Sequence, residues 1–312
     1  GPLLRHAGPT HVTAWVETGA PCTAAVLGHA EPTFTVAGHH YALVVVRGLE
    51  PGTATPYDVR LDVTGGPETF GTTSTVRFSC RTPGASTFVD LIAPTVHEVV
   101  LNGVSLDVDA VVSEGRIALD GLQAENVLRV VADCAYSRTG EGLHRFVDPV
   151  DEEVYLYTQF ESADARRAFA CFDQPDLKAV YDVTVVAPDH WSVVSNSATP
   201  EPVAAGEGTA RWTFPTTQRM STYLVAVVAG PYHSVHDEYT GVHGTYPLGV
   251  YCRKSLAEAL DADDILELTR QGFAFFEETF ATPYPFAKYD QLFVPEFNAG
   301  AMENAGCVTF HE

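Results

Sequence analysis

Toward the end of the chain, five consecutive residues, Gly300-Ala301-Met302-Glu303-Asn304, combine an accessible backbone with one fixed negative charge. Glycine has no Cβ, so a ligand can lie close against its main chain. A carboxylate makes short, charge-assisted hydrogen bonds to an ammonium group. Together they suit a site that grips an extended peptide by its backbone and by its free ammonium end. The pentad follows an aromatic, strand-like run, Tyr289-Asp290-Gln291-Leu292-Phe293-Val294-Pro295-Glu296-Phe297. The metal-binding pattern H-E-x-x-H occurs nowhere in the 312 residues. His311-Glu312 has its first two letters, but Gly306-Cys307-Val308-Thr309-Phe310 before it reads as strand, so the pair is not read as metal ligands.

The elements that must hold this pentad are mostly strands. Thr13–Glu17 and Thr33–Val36 alternate, Tyr41–Val46 is β-branched and apolar, and Gly48-Leu49-Glu50-Pro51-Gly52 reads as a turn. Tyr57–Val63 alternates cleanly. Further strands are predicted at Thr73–Cys80, Val96–Leu101, Val127–Ala132, Tyr181–Val186, Ser192–Asn196, Ala210–Thr213, Tyr223–Ala229, Gly249–Arg253 and Gln291–Val294. Turn chemistry sits at Asn102-Gly103, Asp120-Gly121, Ala187-Pro188-Asp189 and Pro200-Glu201-Pro202. From Ser255 to Phe280, Ile265, Leu266, Leu268, Phe273, Phe276 and Phe280 fall at helical spacing, and Thr282-Pro283-Tyr284-Pro285 ends the helix. The expected fold is mainly β: a small fibronectin-like β segment at 1–56, a large antiparallel sandwich or saddle at 57–253, and the start of an α+β domain at 254–312.

Composition narrows the function classes. A formal charge of −22 argues against nucleic acid as a partner, since a phosphate backbone would be repelled. An acidic field attracts cationic ligands only weakly at physiological salt, and solubility is its ordinary consequence. No apolar run reaches membrane-spanning length and no N-terminal stretch reads as a signal peptide, so no membrane partner is expected. Six cysteines without a C-x-x-C pair read as reduced, mostly buried thiols of a cytoplasmic protein. The twelve histidines include no pair at helical ligand spacing, and the adjacent His39 and His40 project to opposite faces of a strand.

Four clusters occur in order along residues 57–312: Tyr157-Thr158-Gln159-Phe160-Glu161 with Ala165-Arg166-Arg167; Phe172-Asp173-Gln174-Pro175-Asp176; Gln218–Leu224 with Gly230-Pro231-Tyr232; and Tyr284–Asp290 before the pentad. In these the chain resembles the aminopeptidase N family of zinc metallopeptidases. The resemblance implies that Glu303 binds the substrate's α-ammonium and that Glu161 supplies a second carboxylate. It implies that Gln159 lines the first specificity pocket, and that Gly300, Ala301, Met302 and Asn304 form the peptide-binding loop. It implies a thermolysin-like catalytic domain, and a Zn2+ ion whose ligands, general base and oxyanion-stabilising tyrosine lie beyond Glu312. On that expectation residues 1–312 bind peptides with a free N-terminus without hydrolysing them. Arg166, Arg167 and Asp173 are expected to be structural ion-pair members.

Residues 1 to about 61 resemble the leading β domain of alkaline phosphatase D-type metallophosphatases, with Pro56–Leu61 fitting both patterns. None of that family's metal-binding motifs appears, which argues against phosphoesterase chemistry. The competing reading is a non-catalytic β-sandwich module that binds peptide N-termini, distinguished by metal content and turnover. Side-chain preference and oligomeric state have no sequence signal.

Overall fold

The computed structural model of the chain describes residues 3–7, 11–26, 29–47 and 55–312. Two compact units divide at residue 54. In the first, an antiparallel sheet runs in spatial order Leu3–Ala7, His11–Thr18, His39–Arg47, Phe34–Val36, and a separate hairpin pairs Thr23–Val26 with His29–Pro32. Ala42 and Val44, two residues apart on one strand, are fully buried as the two-residue period requires. The predicted turn Gly48–Gly52 lies outside the described residues.

The second unit rests on an eight-stranded sheet. Its spatial order is Val104–Ser105, Thr95–Leu101, Glu125–Ala135, Thr69–Ser79, Thr55–Asp62, Ala179–Pro188, Thr209–Thr213, Val203–Gly206. Its neighbours are antiparallel except Thr55–Asp62 against Ala179–Pro188. Strict alternation builds it: Tyr57, Val59 and Leu61 face the core while Asp58 and Arg60 face out. Tyr57 lies opposite Tyr181 with ring centroids 5.2 Å apart. Asn102 and Gly103, both at positive φ, make the tight turn that their dipeptide predicts.

Two smaller sheets carry the functional region. One runs Gly142–Val147, Val154–Gln159, Val227–Gly230, Ser192–Ser195, all antiparallel. The other runs His233–Gly241, Gly244–Cys252, Tyr289–Val294, Cys307–His311, Ala301–Met302, with its middle three strands parallel. The chain is mainly β, as its patterning implies.

Two elements depart from prediction. Tyr223–Ala229 is not one strand: Thr222–Leu224 is a 3-10 turn and the strand is Val227–Gly230. Side chains hold the turn. Thr222 Oγ1 donates to Asp173 at 2.9 Å, and Asn196 donates to the Leu224 carbonyl at 2.7 Å while accepting from the Ala226 amide. The predicted helix from Ser255 divides into a 3-10 segment, Lys254–Ala259, and an α-helix, Ala262–Phe280, ending at left-handed Ala281. This helix packs along one edge, through Leu266 with Ile265 and Phe273, onto Tyr239, Tyr246, Leu248 and Val250. Leu268, Phe276 and Phe280, predicted on its apolar stripe, are exposed.

The start of this third stretch is tied to the Gly142–Val147 hairpin by a buried ion pair. Arg253 Nη1 donates to Asp148 at 2.8 Å, the Ser255 hydroxyl donates to the same carboxylate, and the guanidinium lies over the Phe146 ring. The Asp148 side chain is fully buried. Burial pushes its pKa up, but the donors from Ser255, Val150 and Arg253 outweigh this and hold it below the ordinary aspartate value. Asp148→Ala leaves Arg253 without this partner and is expected to cost about 3–5 kcal/mol in urea denaturation. Because the folded pKa is depressed, this stabilisation is full above the unfolded aspartate pKa. It is lost as pH falls toward the folded value. Asp148→Asn should flatten the fall of Tm across that acidic window.

Candidate functional site

Cys307–His311 pairs with Tyr289–Val294 on one side and with Ala301–Met302 on the other, which puts the pentad at the edge of its sheet. The register fixes which groups that edge offers. The His311 amide donates to the Gly300 carbonyl at 3.1 Å, so Gly300 and His311 face each other as a bonded pair. Antiparallel pairs alternate, so Ala301 opposite Phe310 is a non-bonded pair, and the Ala301 N–H and C=O point to the open side. Met302 and Asn304 are buried below, while Gly300, Ala301 and Glu303 are exposed.

The loop is anchored from beneath. Gly306, at φ 67°, sits where a Cβ would lie 2.6 Å from the Asn196 carbonyl, so only glycine fits. Its own carbonyl accepts from the buried Lys288 at 2.9 Å, and Lys288 also pairs with Asp290. Asn196 Nδ2 donates to the Ala305 carbonyl at 2.9 Å. Gly300 is different: it lies in open space without a left-handed φ. Burial pushes the Cys307 thiol up to about 12, which makes it a packing residue and not a nucleophile.

The other candidate side chains stand on the Val154–Gln159 strand and the residues after it. Gln159 pairs with Gly142, is half-buried, and its Oε1 atom is buried with no protein donor. Glu161 is exposed. Arg166 and Arg167, the cations nearest to it in sequence, pair instead with Asp90 at 3.7 Å and Asp164 at 2.6 Å. The Arg166 amide donates to Asp173 at 3.1 Å. Among the described residues neither Glu161 nor Glu303 belongs to an ion pair, so both carboxylates are free to receive a cation.

Tyr157 brings the two segments together. Its hydroxyl donates to the Glu296 carbonyl at 3.2 Å, and its ring meets Phe297 edge-on at 5.6 Å. Tyr155, Tyr157, Phe297, Met302 and Cys307 share one buried cluster. Gln159 and Glu161 therefore issue from a strand packed directly on the segment that leads into the pentad.

Among the described residues, no group of three or more His, Cys, Asp or Glu side chains is placed to hold a metal. His311 is exposed at the end of a strand, and both carboxylate oxygens of Glu312 accept from Arg253 Nε at 3.0 and 2.9 Å. A catalytic zinc takes three converging protein ligands. The described residues do not bring three such ligands together.

The peptidase M1 N-terminal domain matches residues 53–224, more than half of the chain, and the peptidase family M1 domain matches residues 265–312. The chain belongs to the peptidase M1 family. Residues 1–68 match a domain of unknown function (DUF7800), which overlaps the M1 match at 53–68. Among M1 relatives, the chain is 59% identical to "Aminopeptidase N" of Streptomyces lividans over 263 residues, 83% of this chain and 30% of that protein. It is 30% identical to "Aminopeptidase N" of Homo sapiens over 269 residues, 78% of this chain and 27% of that protein. It is 36% identical to that of Bos taurus over 174 residues, 54% of this chain and 17% of that protein. The chain thus spans less than a third of the length of these M1 relatives.

Residues that the sequence did not single out also contact the segment leading into the pentad. Tyr157 is visible only as a member of a motif, and His144 and Asn298 carry no spacing signal because their partners lie 152 and 159 positions away. The two glycines of the loop provide a test. Gly306→Ala should lower stability by more than about 1 kcal/mol in urea denaturation, since both φ and the Asn196 carbonyl oppose a side chain. Gly300→Ala should stay within about 0.5 kcal/mol of the parent chain.

Proposed function

We propose that this chain is the substrate-recognising, N-terminal portion of a zinc aminopeptidase acting on peptides with a free N-terminus. The observation that carries this reading is the open Ala301 edge beside an exposed, unpaired Glu303, within a segment matched by the peptidase family M1 domain. An extended peptide adds to such an edge as a further strand, through the Ala301 N–H and C=O. Gly300 supports the same role. The fold leaves room for a Cβ there, so its glycine is explained by a ligand approaching the backbone.

Glu303 and Glu161 take the substrate's ammonium between them, and Gln159 faces its first side chain. Met302 and Asn304, buried in the sheet, hold Glu303 in place. Two carboxylates facing one cation act as a ruler, because only a chain end brings an ammonium to that position. Zinc, when bound in the complete protein, supplies the activation of water, with ligands that we place beyond Glu312. The six free thiols support a reducing, cytoplasmic setting.

The test is calorimetric titration of the chain with a dipeptide amide carrying a free amine and with its N-acetylated form. The free amine should bind preferentially. Glu303→Ala should weaken it about 10- to 100-fold, the value of about 1.5–3 kcal/mol for a hydrogen bond to a charged group. Equal affinity for the two peptides would sink the ammonium-anchor role. In a form extended to the length of the relatives, Glu303→Ala should lose most turnover of free-amine substrates while retaining zinc. Absence of turnover in the extended parent would favour a binding module.

A further inference from the structure

Among the described residues, His144 is the one buried histidine, its side chain 1% exposed. Its ring stacks on Tyr157, with centroids 4.8 Å apart and planes at 28°. Its Nδ1 accepts from the Gly140 amide at 3.2 Å, so in the neutral ring the proton sits on Nε2. Nε2 lies 3.2 Å from the Glu296 carboxylate and donates to it. Glu296 is thus held at both ends, its carbonyl by Tyr157 and its carboxylate by His144. It also stands at φ 54°, a left-handed conformation that costs a non-glycine residue energy unless its surroundings hold it.

Two residues on, Asn298 donates to the Thr139 carbonyl. Gly140 stands at φ 94°, which strains any side chain, and a Cβ there would also press on the Asn298 amide. Residues 139–144 therefore hold residues 296–298 by two hydrogen bonds, one from the His144 ring to the Glu296 carboxylate and one from the Asn298 amide to the Thr139 carbonyl, shortly before Gly300.

We propose that His144 is a positioning residue for the peptide-binding loop: as a neutral ring it clamps Glu296, and through Glu296 it sets where the Gly300–Glu303 edge stands. The inference rests on the reading of that edge as the peptide site. A second proton on His144 would make Nδ1 a donor facing the Gly140 N–H, and the turn would lose that bond. Burial, the largest influence, holds the ring's pKa below the ordinary histidine value. The carboxylates of Glu296 and Glu141 oppose this and Arg138 adds to it. The clamp is therefore complete above the ordinary histidine pKa. As pH falls below that value toward the lowered one, the Gly140 bond that orients the ring is lost, while Nε2–H still donates to Glu296.

The test reads the edge itself through hydrogen exchange of the His311 amide, which bonds to Gly300, in the intact chain. His144→Phe keeps an aromatic ring against Tyr157 but removes both hydrogen bonds. It should speed this exchange about tenfold or more. Glu296→Ala, made from the exposed side of the contact, should act in the same direction if the phenylalanine variant fails to fold. His144→Gln can still donate to Glu296 and should return exchange to within about twofold of the parent. It should also lack the parent's extra acceleration, beyond intrinsic chemistry, between pH 7 and pH 5. Parent-like exchange in both His144→Phe and Glu296→Ala would overturn the proposal, as would a pH step that survives in His144→Gln. A parent chain with no preference for the free-amine peptide would remove the peptide-site reading, while the exchange measurements would still decide the role of His144.

Discussion

The contact between Tyr157 and the Glu296–Phe297 segment is the constraint on which the site depends. One set of candidate side chains follows a strand of the four-stranded sheet, and the other lies at the edge of the five-stranded sheet. No strand pairing joins the two sheets. What joins them is a phenol reaching a carbonyl, an edge-on aromatic pair, and the buried cluster beneath. Burial makes this contact specific. A hydroxyl removed from water must find a partner, and the Glu296 carbonyl is the one within reach.

A second tie acts farther from the ligand. Asp148, Arg253 and Ser255 connect the hairpin carrying His144 to the segment that opens the helical stretch, and Arg253 extends the same network to Glu312. Such a buried pair adds little stability relative to apolar packing, but it is costly to break by halves. It ties the hairpin to the segment that opens the helical stretch through charged groups that each need the other. A binding edge made of main-chain groups needs that uniqueness, since small displacements spoil strand-like hydrogen bonds.

What the sequence revealed depended on whether the signal was local. Tyr57, Val59 and Leu61 show their strand by alternation, and Asn102-Gly103 shows its turn by chemistry that four residues suffice to express. The pentad is local in the same sense: Gly300 and Glu303 lie within a few positions of each other, and the structure leaves both exposed. Tyr223–Ala229 misled because its β-branched and aromatic letters favour a strand. The turn there is imposed by Asp173 and Asn196, remote in sequence. The helix stripe misled in the opposite sense. Leu268, Phe276 and Phe280 have helical spacing, but spacing does not say which part of a stripe finds a neighbour, and Leu266 and Phe273 took the contact with the sheet.

The same distinction explains why the loop's two glycines mean different things. Gly306 is required by the folded chain, because its φ and the Asn196 carbonyl exclude any other residue. Gly300 is required by nothing in the described fold, and it borders Ala301, whose N–H and C=O face the open edge of the sheet. Stability measurements therefore report on Gly306, Lys288 and Asn196 as supports. Ligand measurements report on Gly300, Ala301 and Glu303 as the surface they support.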